Sequence, residues 1–190
     1  MRILIVDDES LIRMDLRDII ESEQHEVVGE ASNGVEAITM CKELKPDAVL
    51  MDVKMPELDG IEAARQIGFN HLAPVVLLTS YSQQDLVTKA RESGVYGYLI
   101  KPVREEQLIP TLEMACGRFL DDLESRQQMA DLEKTLEERK IIQKATGILM
   151  DLYKIPEDEA YNRIRQLSMK KRESIVNICK LIIQQASSNQ

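Results

Sequence analysis

Four short apolar runs, each ending in a side chain that can do chemistry, constrain this chain more than any other feature. Residues 3–6 run into Asp7-Asp8, 48–51 into Asp52, 75–78 into Thr79, and 98–100 into Lys101-Pro102. Runs of about four β-branched and Leu residues, separated by segments of helical period, predict buried parallel strands alternating with helices. Residues at the carboxyl ends of such strands face one crevice, so Asp7, Asp8, Asp52, Thr79 and Lys101 are expected to converge. Carboxylates that close repel unless a cation neutralises them, and an all-oxygen cluster open to water suits Mg²⁺ better than a soft metal. Taken singly, each residue has a plainer use: an Asp after a strand often caps a helix, and a Lys before Pro is often a solvated loop charge. The four together, in this order, point to a site that holds a phosphoryl group.

The motifs Val6-Asp7-Asp8-Glu9, Met51-Asp52-Val53-Lys54-Met55-Pro56-Glu57-Leu58-Asp59-Gly60, Leu78-Thr79-Ser80 and Tyr98-Leu99-Ile100-Lys101-Pro102 lie in residues 1 to about 115. That segment resembles a response-regulator receiver domain of bacterial two-component signalling. The resemblance implies a flavodoxin-like α/β fold, (βα)5, around a five-stranded parallel sheet. It makes Asp52 the acceptor of a phosphoryl group from a histidine of a sensor histidine kinase. Asp8, Asp52 and the backbone carbonyl of Lys54 become direct Mg²⁺ ligands, with Asp7 acting mostly through water. Lys101 and Thr79 would stabilise the phosphoryl group, and Tyr98 would be the aromatic that moves inward as Thr79 shifts. Such a chain accepts a phosphoryl group without being an enzyme in its own right.

Composition narrows the setting. The 190 residues suffice for one or two domains with a buried core. No stretch approaches the roughly 18 apolar residues needed to span a membrane, and only four apolar residues precede Asp7-Asp8-Glu9, so no signal peptide is expected. Cys41, Cys116 and Cys179 are widely spaced and lack a Cys-x-x-Cys pair, which predicts reduced, buried or half-buried thiols in a cytoplasmic protein. The total charge of −9 is unevenly spread: net −10 over residues 1–114, net −4 over 115–138 and net +5 over 139–190. An acidic receiver repels polyanions, so any nucleic-acid contact belongs to the last third.

From about residue 105 to 152 few breakers interrupt a helix-forming composition, and Pro110 is expected in the first turns of a helix or at a kink. Met129, Leu132 and Leu136 form a partial heptad seam that residues 124–128 interrupt with polar side chains, so the reading is a helical connector that pairs with its copy in a dimer. The expected boundaries are a receiver over 1–118, a connector over 119–138 and a three-helix domain over 139–190. In that domain the connector's continuation should pack Ile141, Ile142, Ala145, Ile148 and Leu149 on one face and stop near Tyr153-Lys154. Pro156 should open a second helix ending near Ser168, with Glu157-Asp158-Glu159 in its first turn. A third, roughly 173–186, should bury Ile175, Ile178, Cys179, Ile182 and Ile183.

The pattern Arg139-x-x-Ile142-x-x-Ala145-x-Gly147-x-Leu149-Met150, followed by Glu159-Ala160-Tyr161, Arg165, Ser168-Met169 and Lys171-Arg172, resembles the ANTAR domain. That family is a small three-helix RNA-binding module of bacterial transcription antiterminators. Thr146 stands where members often have Lys, and Lys144 is a candidate replacement. Arg139, Lys140, Lys144, Arg163, Arg165, Lys170, Lys171 and Arg172 could form a basic strip for phosphate contacts. Tyr153 and Tyr161 could stack on bases, although Tyr161, in step with Ile164, reads as core. Gly147 costs its helix roughly 1 kcal/mol against Ala; close approach of another helix or of RNA backbone would justify that cost, and helix packing is the expected reason. Over its whole length the sequence looks most like the ethanolamine-utilisation antiterminator regulators of Gram-positive bacteria. The resemblance implies a regulator that is activated by phosphorylation, dimerises, binds RNA stem-loops in mRNA leaders and prevents termination. Duplex DNA is the weaker expectation, because residues 168–172 lack the Gly of a helix-turn-helix turn. An aspartyl phosphohydrolase would need a substrate cap or pocket that the sequence does not contain.

Overall fold

The protein was analysed as a computed structural model that describes residues 1–80 and 94–188. Five strands, β1 (Arg2–Val6), β2 (Glu26–Ala31), β3 (Ala48–Asp52), β4 (Val75–Thr79) and β5 (Val95–Ile100), form one parallel sheet in the order β2-β1-β3-β4-β5. Helices α1 (Ser10–Ser22), α2 (Gly34–Leu44) and α3 (Gly60–Phe69) connect the first four strands, and α4 (Glu105–Tyr153) follows β5. This is the flavodoxin-like arrangement that the receiver resemblance implies. The helical segment expected between the fourth and fifth strands lies outside the described residues.

Strand composition explains the burial. β3 (AVLMD) and β4 (VVLLT) are buried at every position, as a sheet covered on both faces requires. Alternation then sorts the side chains: Leu4 and Val6 join Ala37 and Cys41 of α2 and Ala63, Ala64 and Ile67 of α3 on one face. Ile3 and Ile5 join Leu16 and Ile20 of α1 with Leu108, Leu112 and Ala115 of α4 on the other. The three cysteines are free thiols, two buried and one half-buried, as expected. Burial pushes the Cys41 thiol up to about 12 and raises Cys116 and Cys179, which makes all three poor nucleophiles.

The chain divides into two compact units, Met1–Glu124 and Ser125–Gln190, and α4 contributes residues to both. Pro110 sits inside α4, in its second turn. Met129, Leu132 and Leu136 are 63%, 64% and 56% exposed, so among the described residues the seam stands largely uncovered. In the second unit, α4 ends at Tyr153, followed by α5 (Glu157–Lys171) and α6 (Ile175–Ser188). Ala145 and Leu149 of α4 meet Ala160 and Ile164 of α5 and Ile178 and Cys179 of α6 in a small core, with Ile141, Ile142, Met150, Ile175, Ile182 and Ile183 packed at its margin.

Four expectations for this unit need correction. Helix α5 runs past Ser168 to Lys171, because Arg172 takes the left-handed conformation (φ 55°) and its N–H and that of Glu173 close the helix end on Ser168 and Met169 carbonyls. Helix α6 starts at Ile175 instead of Glu173, because Ser174 caps it by accepting from the Asn177 N–H at 3.2 Å. Met150, not Ile148, joins the core margin. Tyr161 is 40% exposed: one turn before Ile164, it points past the edge of a core too small to cover it.

Candidate functional site

Register brings the reactive residues together step by step. Val6 of β1 pairs with Met51 of β3, so Asp7 and Asp52, each one residue further on, emerge side by side. Asp52 pairs with Leu78, one residue short of Thr79, and Thr79 pairs with Ile100, one short of Lys101. The Lys101 ammonium closes the group, 2.7 Å from Asp7 Oδ2 and 2.5 Å from Asp52 Oδ1. Backbone amides hold the other carboxylate oxygens: Lys54 N–H donates to Asp52 Oδ2 at 2.8 Å and Glu9 N–H to Asp7 Oδ1 at 3.0 Å. Asp7 and Thr79 are buried, Asp52 is 8% exposed, and Asp8 lies open to solvent. Tyr98 is 53% exposed at the edge of the sheet.

One ammonium between two carboxylates leaves the pocket negative. Burial pushes the Asp52 carboxyl up from its ordinary range, the hydrogen bond from Lys101 pulls it back, and the charge on Asp7 adds to the rise. Burial would lower Lys101, but its bonds to Asp52 and Asp7 outweigh that and hold it firmly charged. Carboxylate oxygens of Asp7, Asp8 and Glu9 lie within 4.8 Å of one another. That donor set is all hard oxygen, one member buried and two open to water, and it fits a divalent cation that keeps several waters.

Three residues near this pocket were not singled out from the sequence. Glu9 stands in the acidic cluster beside Asp7 and Asp8, where a general preference for carboxylates could have suggested it. Gly60 opens α3 directly against β3: a Cβ there would lie 1.9 Å from the Asp52 carbonyl oxygen, and its N–H donates to Val53 O at 2.9 Å. Arg13 of α1 donates to the Asp7 carbonyl at 2.6 Å and is itself held by Glu30 of β2 at 3.0 Å. Glu30 also takes Arg17 at 2.6 Å, and this hydrogen bond, opposed by burial and helped by Arg13, holds its carboxyl below the usual range. A lowered carboxyl pKa means that the native state binds fewer protons, so the contribution is present above 4.5 and is lost as pH falls through the lowered value. Glu30→Gln should therefore cost up to about 1 kcal/mol at neutral pH. In urea unfolding, the difference from the native chain should shrink below pH 4.5. A constant difference across that range would refute the pairing.

The second unit holds the basic residues. All eight expected cations are exposed, but they do not share one duty. Arg163 bonds Glu159 at 2.9 Å and lies 5.1 Å over the Tyr153 ring, and Lys140 pairs with Glu137 at 2.7 Å. Lys170 and Lys171 occupy the last turn of α5, where they complement the helix dipole. Arg139, Lys144 and Arg165 make no ion pair among the described residues. Lys180 of α6, absent from the expected strip, joins Lys140 and Lys144 around a groove of about 440 Å³ floored by Ile141 and Ile183. Thr146 is buried, its hydroxyl donating to Ile142 O at 2.9 Å. Two positions apart on a helix means about 200° of rotation, so exposed Lys144 and buried Thr146 lie on opposite faces of α4. Leaving aside the adjoining backbone of α4 and its two chain neighbours, no atom of the described residues lies within 4 Å of a Cβ placed on Gly147, so the expected close packing of another helix is absent there.

Comparisons with known proteins agree with both units. Residues 3–113 match the response regulator receiver domain and residues 130–183 the ANTAR domain. The transcriptional regulatory protein PdtaR of Mycobacterium tuberculosis is 40% identical over 183 residues, covering 96% of this chain and 89% of that protein. The chemotaxis protein CheY of Thermotoga maritima is 41% identical over 112 residues, 58% of this chain and 93% of that one. Among solved structures, the response regulator domain of Thermotoga maritima CheB matches with a TM-score of 0.57 at 32% identity, covering 62% of this chain and 96% of that chain. No helix among the described residues is long and apolar enough to cross a membrane. The chain belongs to the response regulators, with a receiver domain followed by an ANTAR domain.

Proposed function

We propose that this protein is a cytoplasmic, phosphorylation-activated regulator that binds RNA stem-loops in mRNA leaders as a dimer and so prevents transcription termination. The observation that carries the reading is the Lys101-bridged pair of Asp7 and Asp52 at the carboxyl end of a receiver sheet, in one chain with an ANTAR domain. A sensor histidine kinase is the proposed donor. One oxygen of the Asp52 carboxylate forms the new bond to phosphorus as the bond from phosphorus to the donor's histidine nitrogen breaks. Lys101 then exchanges its contact with Asp52 for a phosphoryl oxygen while keeping Asp7. Thr79, buried at the end of β4, supplies a further hydrogen bond. Mg²⁺ held by Asp8, Asp52 and the Lys54 carbonyl, with Asp7 and Glu9 nearby, would offset charge on the transferring oxygens.

The output follows from the connector. Met129, Leu132 and Leu136 expose an apolar seam that a second copy would bury, presenting two basic domains to two stem-loops. Sedimentation of the full chain tests this step: treated with Mg²⁺ and a small phosphodonor, the protein should run as a dimer, and untreated protein largely as a monomer. Equal masses would remove dimerisation as the switch.

A further inference from the structure

Gly147 is the residue of the second unit that its own fold leaves unexplained. It lies within α4, where glycine weakens a helix, yet no packing partner stands within 4 Å of the place its Cβ would take. At 3.6 residues per turn, Lys140, Lys144, Gly147 and Asp151 follow one another along a single edge of α4, opposite the buried Ala145 and Leu149. Lys144 makes no ion pair among the described residues, and the groove it shares with Lys140 and Lys180 runs beside this edge. The face therefore combines a half-buried glycine with no side chain packed over it, one cation outside any ion pair (Lys144) beside one held by Glu137 (Lys140), and a carboxylate at its end.

We propose that the sugar-phosphate backbone of a single-stranded RNA loop crosses α4 at Gly147, with its phosphates between Lys144 and Lys180. The inference rests on the RNA-binding reading and adds to it the place of closest approach. Charge decides between occupants: a second apolar helix would have to bury the Lys140 and Lys144 heads against its own surface, whereas a polyanion gains from them. Asp151, one turn beyond Gly147, suits an exocyclic base amine. A side chain at position 147 would hold the RNA backbone away from the helix and weaken the contacts with both lysines.

The test uses the full-length phosphorylated protein and the tightest binder selected from a pool of two-hairpin RNAs with randomised loops. Gly147→Ala should melt a few degrees higher than the native chain or level with it, keep its dimer mass, and lose about tenfold or more in RNA affinity. Gly117→Ala, at the other open glycine of α4, should show the same thermal gain with affinity unchanged. Lys144→Ala should lower the logarithmic salt slope by about 0.7–0.9. If Gly147→Ala binds as tightly as the native chain, or changes dimer mass instead of affinity, this inference fails and RNA binding stands. If the native chain selects no RNA at all, the underlying reading fails with it.

Discussion

Gly60→Ala should cost the receiver about 3 kcal/mol or more and abolish phosphoryl uptake at temperatures where the native chain is fully active. The added methyl would sit 1.9 Å from the Asp52 carbonyl oxygen and 3.0 Å from its carbonyl carbon, both backbone atoms that no side-chain rotation can move aside. Either α3 backs away, breaking the bond from Gly60 N–H to Val53 O, or β3 shifts and takes Asp52 off Lys101. Both routes reach Asp52, the proposed acceptor. Chemical denaturation of the two proteins, followed by phosphodonor labelling in conditions where both are folded, separates the stability loss from the chemical one. A variant as stable and as readily labelled as the native chain would mean that Gly60 does not set the position of Asp52.

Asp52→Asn should eliminate the single alkali-labile phosphate that Mg²⁺ and a small phosphodonor add to the native chain, while leaving the fold intact. Burial keeps the Asp52 carboxyl above its ordinary value of 3.8, so the folded state holds the proton more tightly than the unfolded chain. Stability conferred through this group is full below 3.8 and falls as pH rises through the raised value. At neutral pH the ionised Asp52 is therefore a cost, and the Asn variant should be at least as stable as the native protein. Loss of label with undiminished stability identifies the acceptor; label persisting on the Asn variant would place it elsewhere.

The receiver was legible from sequence because its signals are local and strong. Each of the four apolar runs announces a strand that leads into a reactive residue, β2 being the strand without one, and parallel register then leaves little freedom in where Asp7, Asp52, Thr79 and Lys101 meet. Gly60 was quoted as part of a motif, but its reason, contact with a strand eight residues earlier, exists only in three dimensions. Glu9 and Arg13 are ordinary charged residues until α1 turns them toward Asp7. The second unit was read less well for a different reason. Its core is so small that periodicity overestimates burial, as at Tyr161 and Ile148, and a basic composition does not say which cations are already paired, as Lys140 and Arg163 are. Helix ends drifted by two or three residues where capping, at Arg172 and Ser174, overrode the hydrophobic pattern. The operon controlled is written in the RNA and not in these residues.

Control of RNA binding by Asp52 is the central claim, and one titration tests it most directly. The selected two-hairpin RNA is titrated with the native chain and with Asp52→Asn, each with and without Mg²⁺ and phosphodonor, at fixed salt, with duplex DNA of similar length as the control. The account predicts that phosphodonor raises RNA affinity of the native chain by about tenfold or more, as expected of a coupling between two sites worth at least 1.4 kcal/mol, with no change for the Asn variant and weaker binding to DNA. Equal RNA affinity in all four conditions, or tighter binding to the duplex, would contradict it.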